Sequence, residues 1–315
     1  MDGSPAPLSG PPLALPGAAA VPARRPVSRS RQLVSDYLEL TKPKVQSLLL
    51  LTTIATMYVA GDPSPLLVAL TCLGGYLSAG GAGAVNHWFD RDIDARMART
   101  SGRPIPAGRI APTAALVFGC GLSALSFLEL SLTVNLLAAS LALAGFLGYV
   151  LVYTVWLKRR TPQNIVIGGA AGAVPPLVGW AAVTGSVSAT AVLLFSIVFF
   201  WTPPHFWALS LLMKGEYEKV GVPMLPVVRG EAETRRQILL YAVLLYAVTQ
   251  LPFCAGGFGG IYLAASLVLG LGFIAGAVRL YRRADRRSAL QLYLFSLAYL
   301  ALLFCAMVLD AHLHV

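Results

Sequence analysis

Asn86, Asp90 and Asp94 stand four residues apart in Asn86-His-Trp-Phe-Asp90-Arg-Asp92-Ile-Asp94, where an apolar run gives way to a basic loop. Residues spaced by four stack on one helical face, so these side chains can present a stripe of oxygens. The chain has only 14 carboxylates in 315 residues, and three of them fall within these five positions. Like charges at that density repel unless a cation lies between them. Mg²⁺ suits such a stripe, because it binds through a few carboxylates and completes its shell with phosphate oxygens. The loop runs on through Arg96, Arg99 and Arg103 to Pro104. Guanidinium forks there fit the remaining oxygens of a polyphosphate. The expectation is metal-assisted chemistry on a diphosphate. Asp92 points off the stripe, within i+4 reach of Arg96.

A second group follows in Trp201-Thr-Pro-Pro-His205-Phe-Trp and Lys214-Gly-Glu216-Tyr217. Adjacent prolines in an apolar helix are expected to break or kink it. His205 is an ionisable group inside an apolar segment, read either as functional or as hydrogen-bonded to a neighbouring helix. Glu216 is the acid placed to mirror the first cluster; a plain surface carboxylate is the competing reading. Lys158, in Tyr153-Thr-Val-Trp-Leu-Lys158, and Lys44, in Leu40-Thr-Lys42-Pro43-Lys44, are interfacial cations within reach of a phosphate. Small residues at 168–173, and Gly74, Gly75, Gly80, Gly81 and Gly83, allow helices to approach closely.

The elements that must position these groups are membrane helices. Hydrophobic residues make up 57% of the chain and charged ones 12%, far from soluble usage. Nine apolar stretches are long enough to cross a bilayer: 45–61, 65–85, 111–130, 132–156, 164–183, 187–212, 237–254, 258–280 and 289–309. Their apolar runs are continuous, which argues against a β-barrel. All 24 Lys and Arg fall in alternate connections: six before the first stretch, then five, three, five and five. The positive-inside rule puts the N-terminus and the basic loops in the cytoplasm and the C-terminus outside. The net charge of +10 thus reads as a topology and anionic-lipid signal, with no nucleic-acid partner. Residues 1–30 are Pro-, Ala-, Gly- and Ser-rich and read as a disordered cytoplasmic tail ahead of a membrane domain at 31–315. Cys72, Cys120, Cys254 and Cys305 lie singly in apolar segments and read as buried free thiols. Two four-span blocks, each with its second span leading into a mixed-charge loop, suggest a site between halves.

These stretches resemble the UbiA superfamily of intramembrane prenyltransferases, and more closely its protohaem IX farnesyltransferase branch. The resemblance rests on Leu-Thr-Lys-Pro-Lys at 40–44, the run 86–100, Arg-Pro-Ile-Pro at 103–106, the run 153–164, Thr-Pro-Pro-His-Phe-Trp at 202–207 and Gly-Val-Pro-Met-Leu-Pro-Val at 221–227. It implies an all-α integral membrane protein, a nine-transmembrane-helix bundle with a central cavity open toward the cytoplasmic side, in the cell (inner) membrane. It implies farnesyl transfer from farnesyl diphosphate to a vinyl group of haem b with water addition, with Mg²⁺ as cofactor. Asn86, Asp90 and Asp94 match the metal-diphosphate motif. Glu216 keeps a carboxylate where the branch has Asp. Lys44, Arg99, Arg103 and Lys158 are candidates for the outer phosphate oxygens and His205 for a haem contact. Haem A synthase or haem-copper oxidase assembly proteins are the implied protein partners. The rival readings are a prenyltransferase acting on a quinone precursor, a transporter, and a non-catalytic oxidase assembly factor.

Overall fold

The computed structural model describes residues 28–313. Most of the tail expected at 1–30 lies outside the described residues, and helix α1 (Arg29–Leu40) already begins at its last positions. Proline at the first turn, where its missing N–H costs nothing, opens α2 (Pro43–Ala60), α3 (Pro65–Phe89) and α5 (Pro112–Thr133). Between the last two lies the single turn α4 (Arg91–Asp94). Helix α6 (Leu136–Leu147) runs directly into a π-helix over Gly148–Leu157. After it come α7 (Asn164–Gly172), α8 (Val174–Thr184), α9 (Ala189–Leu212), α10 (Lys214–Lys219) and α11 (Leu225–Val228). The chain finishes with α12 (Gly230–Cys254), α13 (Gly260–Arg283) and α14 (Arg286–Leu313).

All regular structure among the described residues is helical, and eight segments are long and apolar enough to cross a membrane. The first expected span coincides with the 18-residue α2. Leu132, Val117, Val268 and Leu66 lie exposed on these helices, as lipid-facing side chains do in a multi-pass membrane protein. Helix α3 lies tightly on α5, α2 on α8, and α12 between α9 and α13; α14 joins α9 to α2 and closes the bundle. A Cβ on Gly81 would stand 2.5 Å from the Gly119 carbonyl oxygen, and one on Gly119 would stand 2.8 Å from that of Gly81. The two backbones touch because neither residue has a side chain.

Two expectations need correction. The Pro203-Pro204 pair does not interrupt α9, which runs unbroken to Leu212. Thr202 Oγ1 donates to the Val198 carbonyl there, 2.8 Å away. The interruption falls instead at Ala173, ahead of Pro175 and Pro176, where α7 passes into α8 within the expected span at 164–183, which remains one membrane-length segment. The cysteines are free thiols, but Cys120, Cys254 and Cys305 are exposed and only Cys72 is partly covered. In a lipid environment a small apolar thiol gains nothing by turning inward.

Candidate functional site

The inner end of α3 does not stop cleanly. The Asp90 N–H donates to the Asn86 carbonyl (2.9 Å), closing the helix's last turn, and the Asp94 N–H donates to the Asp90 carbonyl (2.8 Å). This continuity keeps Asn86, Asp90 and Asp94 in one row, and all three are buried. Asn86 Nδ2 donates to Asp90 Oδ2 at 2.7 Å and to Thr154 Oγ1 at 3.2 Å.

Cations from three other segments meet that row. Lys42 Nζ donates to Asn86 Oδ1 at 2.6 Å, Lys158 Nζ pairs with Asp90 Oδ2, and Arg103 Nη1 pairs with Asp94 Oδ2 at 2.6 Å. Three cations against two carboxylates leave a surplus of one positive charge when all are ionised. The Asp90 Oδ1 atom is buried without a hydrogen bond, with Arg159 Nη2 3.5 Å away. Burial, with Arg103 and Lys158 adding to it, pushes the Lys42 ammonium down to about 7, while Asp90 and Asp94 oppose the shift. An anion arriving here would restore its charge.

Local backbone explains how the cations arrive. Lys42 sits at φ 54°, a left-handed conformation disfavoured for a side-chain-bearing residue, in the corner between α1 and Pro43. Strain of this kind persists where neighbouring structure enforces it. Gly83 leaves room for this corner, for a Cβ there would lie 2.9 Å from the Leu40 carbonyl oxygen. The π-helix sets the register on the other side. Its wider turn places Thr154 against Asn86 and, just beyond its end, Lys158 against Asp90. Such segments recur at functional sites. Tyr149 and Tyr153 project from it with ring centroids 5.3 Å apart, and Lys42 Nζ lies 5.9 Å from the Tyr149 ring centre.

The cation nearest Asn86 is therefore Lys42; Lys44 is exposed. Arg99 is exposed as well, whereas Arg103 reaches the stripe. Asp92 pairs with Arg159 (2.6 and 2.8 Å) and not with Arg96, whose Nε is 3.4 Å from the Asp92 backbone carbonyl oxygen. The Arg159 guanidinium holds the Asp92 carboxyl below its ordinary range. Glu216 Oε2 accepts from the Ala98 amide at 2.8 Å, so the second loop is clasped to the first. The other basic connections meet at the same end: Arg109 pairs with Asp36 (2.9 Å) and Arg286 donates to the Leu212 carbonyl (3.0 Å).

His205 takes its contacts from α14 and from its own helix. Its ring stacks between Trp201 (4.3 Å) and Tyr293 (4.9 Å), and Nδ1 lies 2.6 Å from Ser296 Oγ. Ser296 directs its one hydroxyl proton to the Tyr293 carbonyl, also at 2.6 Å. The network therefore assigns the Nδ1–H tautomer to a neutral His205 and leaves Nε2 with its lone pair.

Of the interfacial basic pair Lys42 and Lys44, the sequence points to Lys44 for the phosphate contact, whereas Lys42 is the one that reaches Asn86; it assigns no role to Thr154, Arg159 or His87. His87 is buried beside Asn86 with both ring nitrogens lacking a hydrogen-bond partner among the described residues. The proline after Lys42 marked a corner, but nothing in one dimension says where a corner points.

No group of three or more His, Cys, Asp or Glu among the described residues is close enough to hold a metal alone. The donor set that fits a divalent cation is two carboxylates, one carboxamide oxygen and the phosphate oxygens of a ligand. The unsatisfied Asp90 Oδ1 and the surplus positive charge both suit such a metal-diphosphate.

The profile described as the UbiA prenyltransferase family matches residues 49–304. A protein named protoheme IX farnesyltransferase from Symbiobacterium thermophilum is 57% identical over 286 residues, covering 90% of this chain and 96% of that one. One of the same name from Chloroflexus aurantiacus is 57% identical over 282 residues, covering 89% of this chain. The chain spans 48% of the length of that relative. Among solved structures, a digeranylgeranylglyceryl phosphate synthase superposes with a TM-score of 0.73 at 22% identity, covering 89% of this chain and 99% of that one. A UbiA homolog from Archaeoglobus fulgidus bound to GPP and Mg²⁺ gives 0.62 at 17% identity, covering 86% and 99%. The fold is thus shared, and the chain belongs to the UbiA prenyltransferase family.

Proposed function

We propose that this family member transfers the farnesyl group of farnesyl diphosphate to a vinyl carbon of haem b. The observation that carries the diphosphate half is the buried Asn86–Asp90–Asp94 row, met by Lys42, Lys158 and Arg103 from three separate segments. The high identity to proteins named for the haem reaction supports the acceptor half.

Asn86 Oδ1, Asp90 and Asp94 would hold Mg²⁺, which when bound offsets charge on the leaving diphosphate. Asn86 must then turn its carboxamide, since Nδ2 and not Oδ1 faces Asp90 in this structure. Lys158 and Arg103 exchange their carboxylate contacts, and Lys42 its contact with the Asn86 carboxamide oxygen, for the outer phosphate oxygens. A diphosphate brings roughly three negative charges and the cation two positive ones, which cancels the surplus positive charge of the site. Lys44 and Arg99, exposed at the rim, steer the substrate, and Glu216 holds the two loops together over it.

The allylic C–O bond breaks with its electron pair leaving on the diphosphate. Aromatic faces such as Tyr149 and Tyr153 stabilise the carbocation and keep water away. The vinyl π pair forms the new C–C bond, the cation left beside the macrocycle takes up water, and a proton is lost to solvent. The product bears a hydroxyethylfarnesyl side chain. His205 Nε2, presented by the Ser296 hydrogen bond, orients the haem through its iron. The basic loops face the cytoplasm from the inner membrane, and haem A synthase or oxidase assembly proteins take up the product.

Incubating the full chain in nanodiscs with haem b, farnesyl diphosphate and Mg²⁺ tests this reading. A haem product heavier by farnesyl plus hydroxyl, lost on chelation, is expected. Prenylation of a quinone precursor with untouched haem would overturn it.

A further inference from the structure

Helix α1 carries three large apolar side chains that no other described element covers. Leu33, Val34 and Leu38 are 49%, 60% and 50% exposed. They span an arc of about 140° on a wheel of 100° per residue, with the half-buried Tyr37 inside it resting on α5. The opposite side of the helix is fastened down. Asp36 is buried and takes hydrogen bonds from Arg109 Nε at 2.9 Å and Gln32 Nε2 at 3.1 Å, and Leu40 is fully buried. This docking fixes which way the apolar arc looks, and it looks outward.

Its depth follows from what it touches. Tyr37 meets Phe118 edge-on at 4.8 Å. Phe118 lies six residues inside α5, about 9 Å below that helix's first turn at 1.5 Å per residue. One turn later Thr41 Oγ1 meets Tyr76 Oη at 3.0 Å, far back along the apolar α3. The exit of α1 therefore sits below the level at which α3 and α5 leave the apolar bundle. With only 12 residues the helix is too short to span. An outward apolar arc at that level meets acyl chains and headgroups, and Arg29 and Arg31 are exposed at the outer end.

We infer that α1 is an interfacial anchor, with Leu33, Val34 and Leu38 among the acyl chains and Arg29 and Arg31 on the phosphates of anionic phospholipids. Such helices bind by apolar area together with attraction to anionic lipid. The anchor ends two residues before Lys42, so the leaflet surface helps set how that lysine approaches Asn86. The inference stands apart from the identity of the prenyl acceptor.

A photo-crosslinking residue placed at Val34, Leu38 or Ser35 of the full chain, in nanodiscs of phosphatidylcholine and phosphatidylglycerol, tests it. Ser35 is exposed outside the apolar arc. Mass spectrometry should show lipid adducts at 34 and 38 at least about tenfold above those at 35. The phosphatidylglycerol share at 34 should fall about fivefold for each of Arg29→Gln and Arg31→Gln. Since all these positions are exposed, elution like that of the parent chain confirms folding. Equal adducts at the three positions, or adducts at 34 to a second copy of the chain, would overturn the anchor.

Discussion

Asp90→Asn removes one charge from the most enclosed point of the site with almost no change in shape. Asp90 is 1% exposed, takes Lys158 and Asn86 Nδ2 on Oδ2, and leaves Oδ1 without a donor. The asparagine keeps an acceptor for Lys158, so folding should lose about 1–3 kcal/mol, less than a fully stranded buried charge would cost. Insertion and thermal unfolding in detergent should therefore stay measurable. Turnover should suffer more, because a metal-binding oxygen acts on charge that develops only as the C–O bond breaks. Removing one preorganised electrostatic group typically costs about 10²–10³ in kcat, or roughly 2.7–4 kcal/mol. Meanwhile the surplus positive charge rises from one to two, so diphosphate capture should hold and KM should move by less than about threefold. The assay is product formation by mass spectrometry across farnesyl diphosphate and Mg²⁺ concentrations, with the Mg²⁺ requirement shifted upward in the variant. A loss confined to KM, or turnover within a few-fold of the parent, would refute the assignment of Asp90 to the metal.

Asp92→Asn supplies the contrast: its carboxylate is 55% exposed and pairs with Arg159, a surface pair worth about 0–1 kcal/mol, so turnover should stay within about fivefold. Lys42→Met should lower kcat/KM for farnesyl diphosphate by about 10² or more, whereas Lys44→Met should stay within about twofold; equal losses would undo the distinction between corner and rim. His205→Ala should raise KM for haem while slow hydrolysis of farnesyl diphosphate continues, and identical losses in both would count against a haem contact. Gly119→Ala would drive a Cβ to 2.8 Å from the Gly81 carbonyl oxygen, while Gly121→Ala meets nothing within 4 Å. Thermal unfolding should show the first losing about 1–3 kcal/mol or more and the second unchanged.

Much of this protein was written in one dimension. Helical spacing alone fixed the Asn86–Asp90–Asp94 row, because a period of 3.6 residues leaves no freedom to separate positions four apart. The alternation of basic connections foretold that loops far apart in sequence would meet at one end, as the Lys158–Asp90 and Glu216–Ala98 contacts do. Tertiary structure alone decided the rest. Lys42 and not Lys44 faces the stripe, from a left-handed corner that packs closely on Gly83 across the interface. The π-helix, the passage of α9 through two prolines and the pairing of Asp92 with Arg159 likewise depend on neighbours distant in sequence. Local periodicity sets which residues share a face. Only packing sets what that face meets, because the partner's distance along the chain carries no local energy.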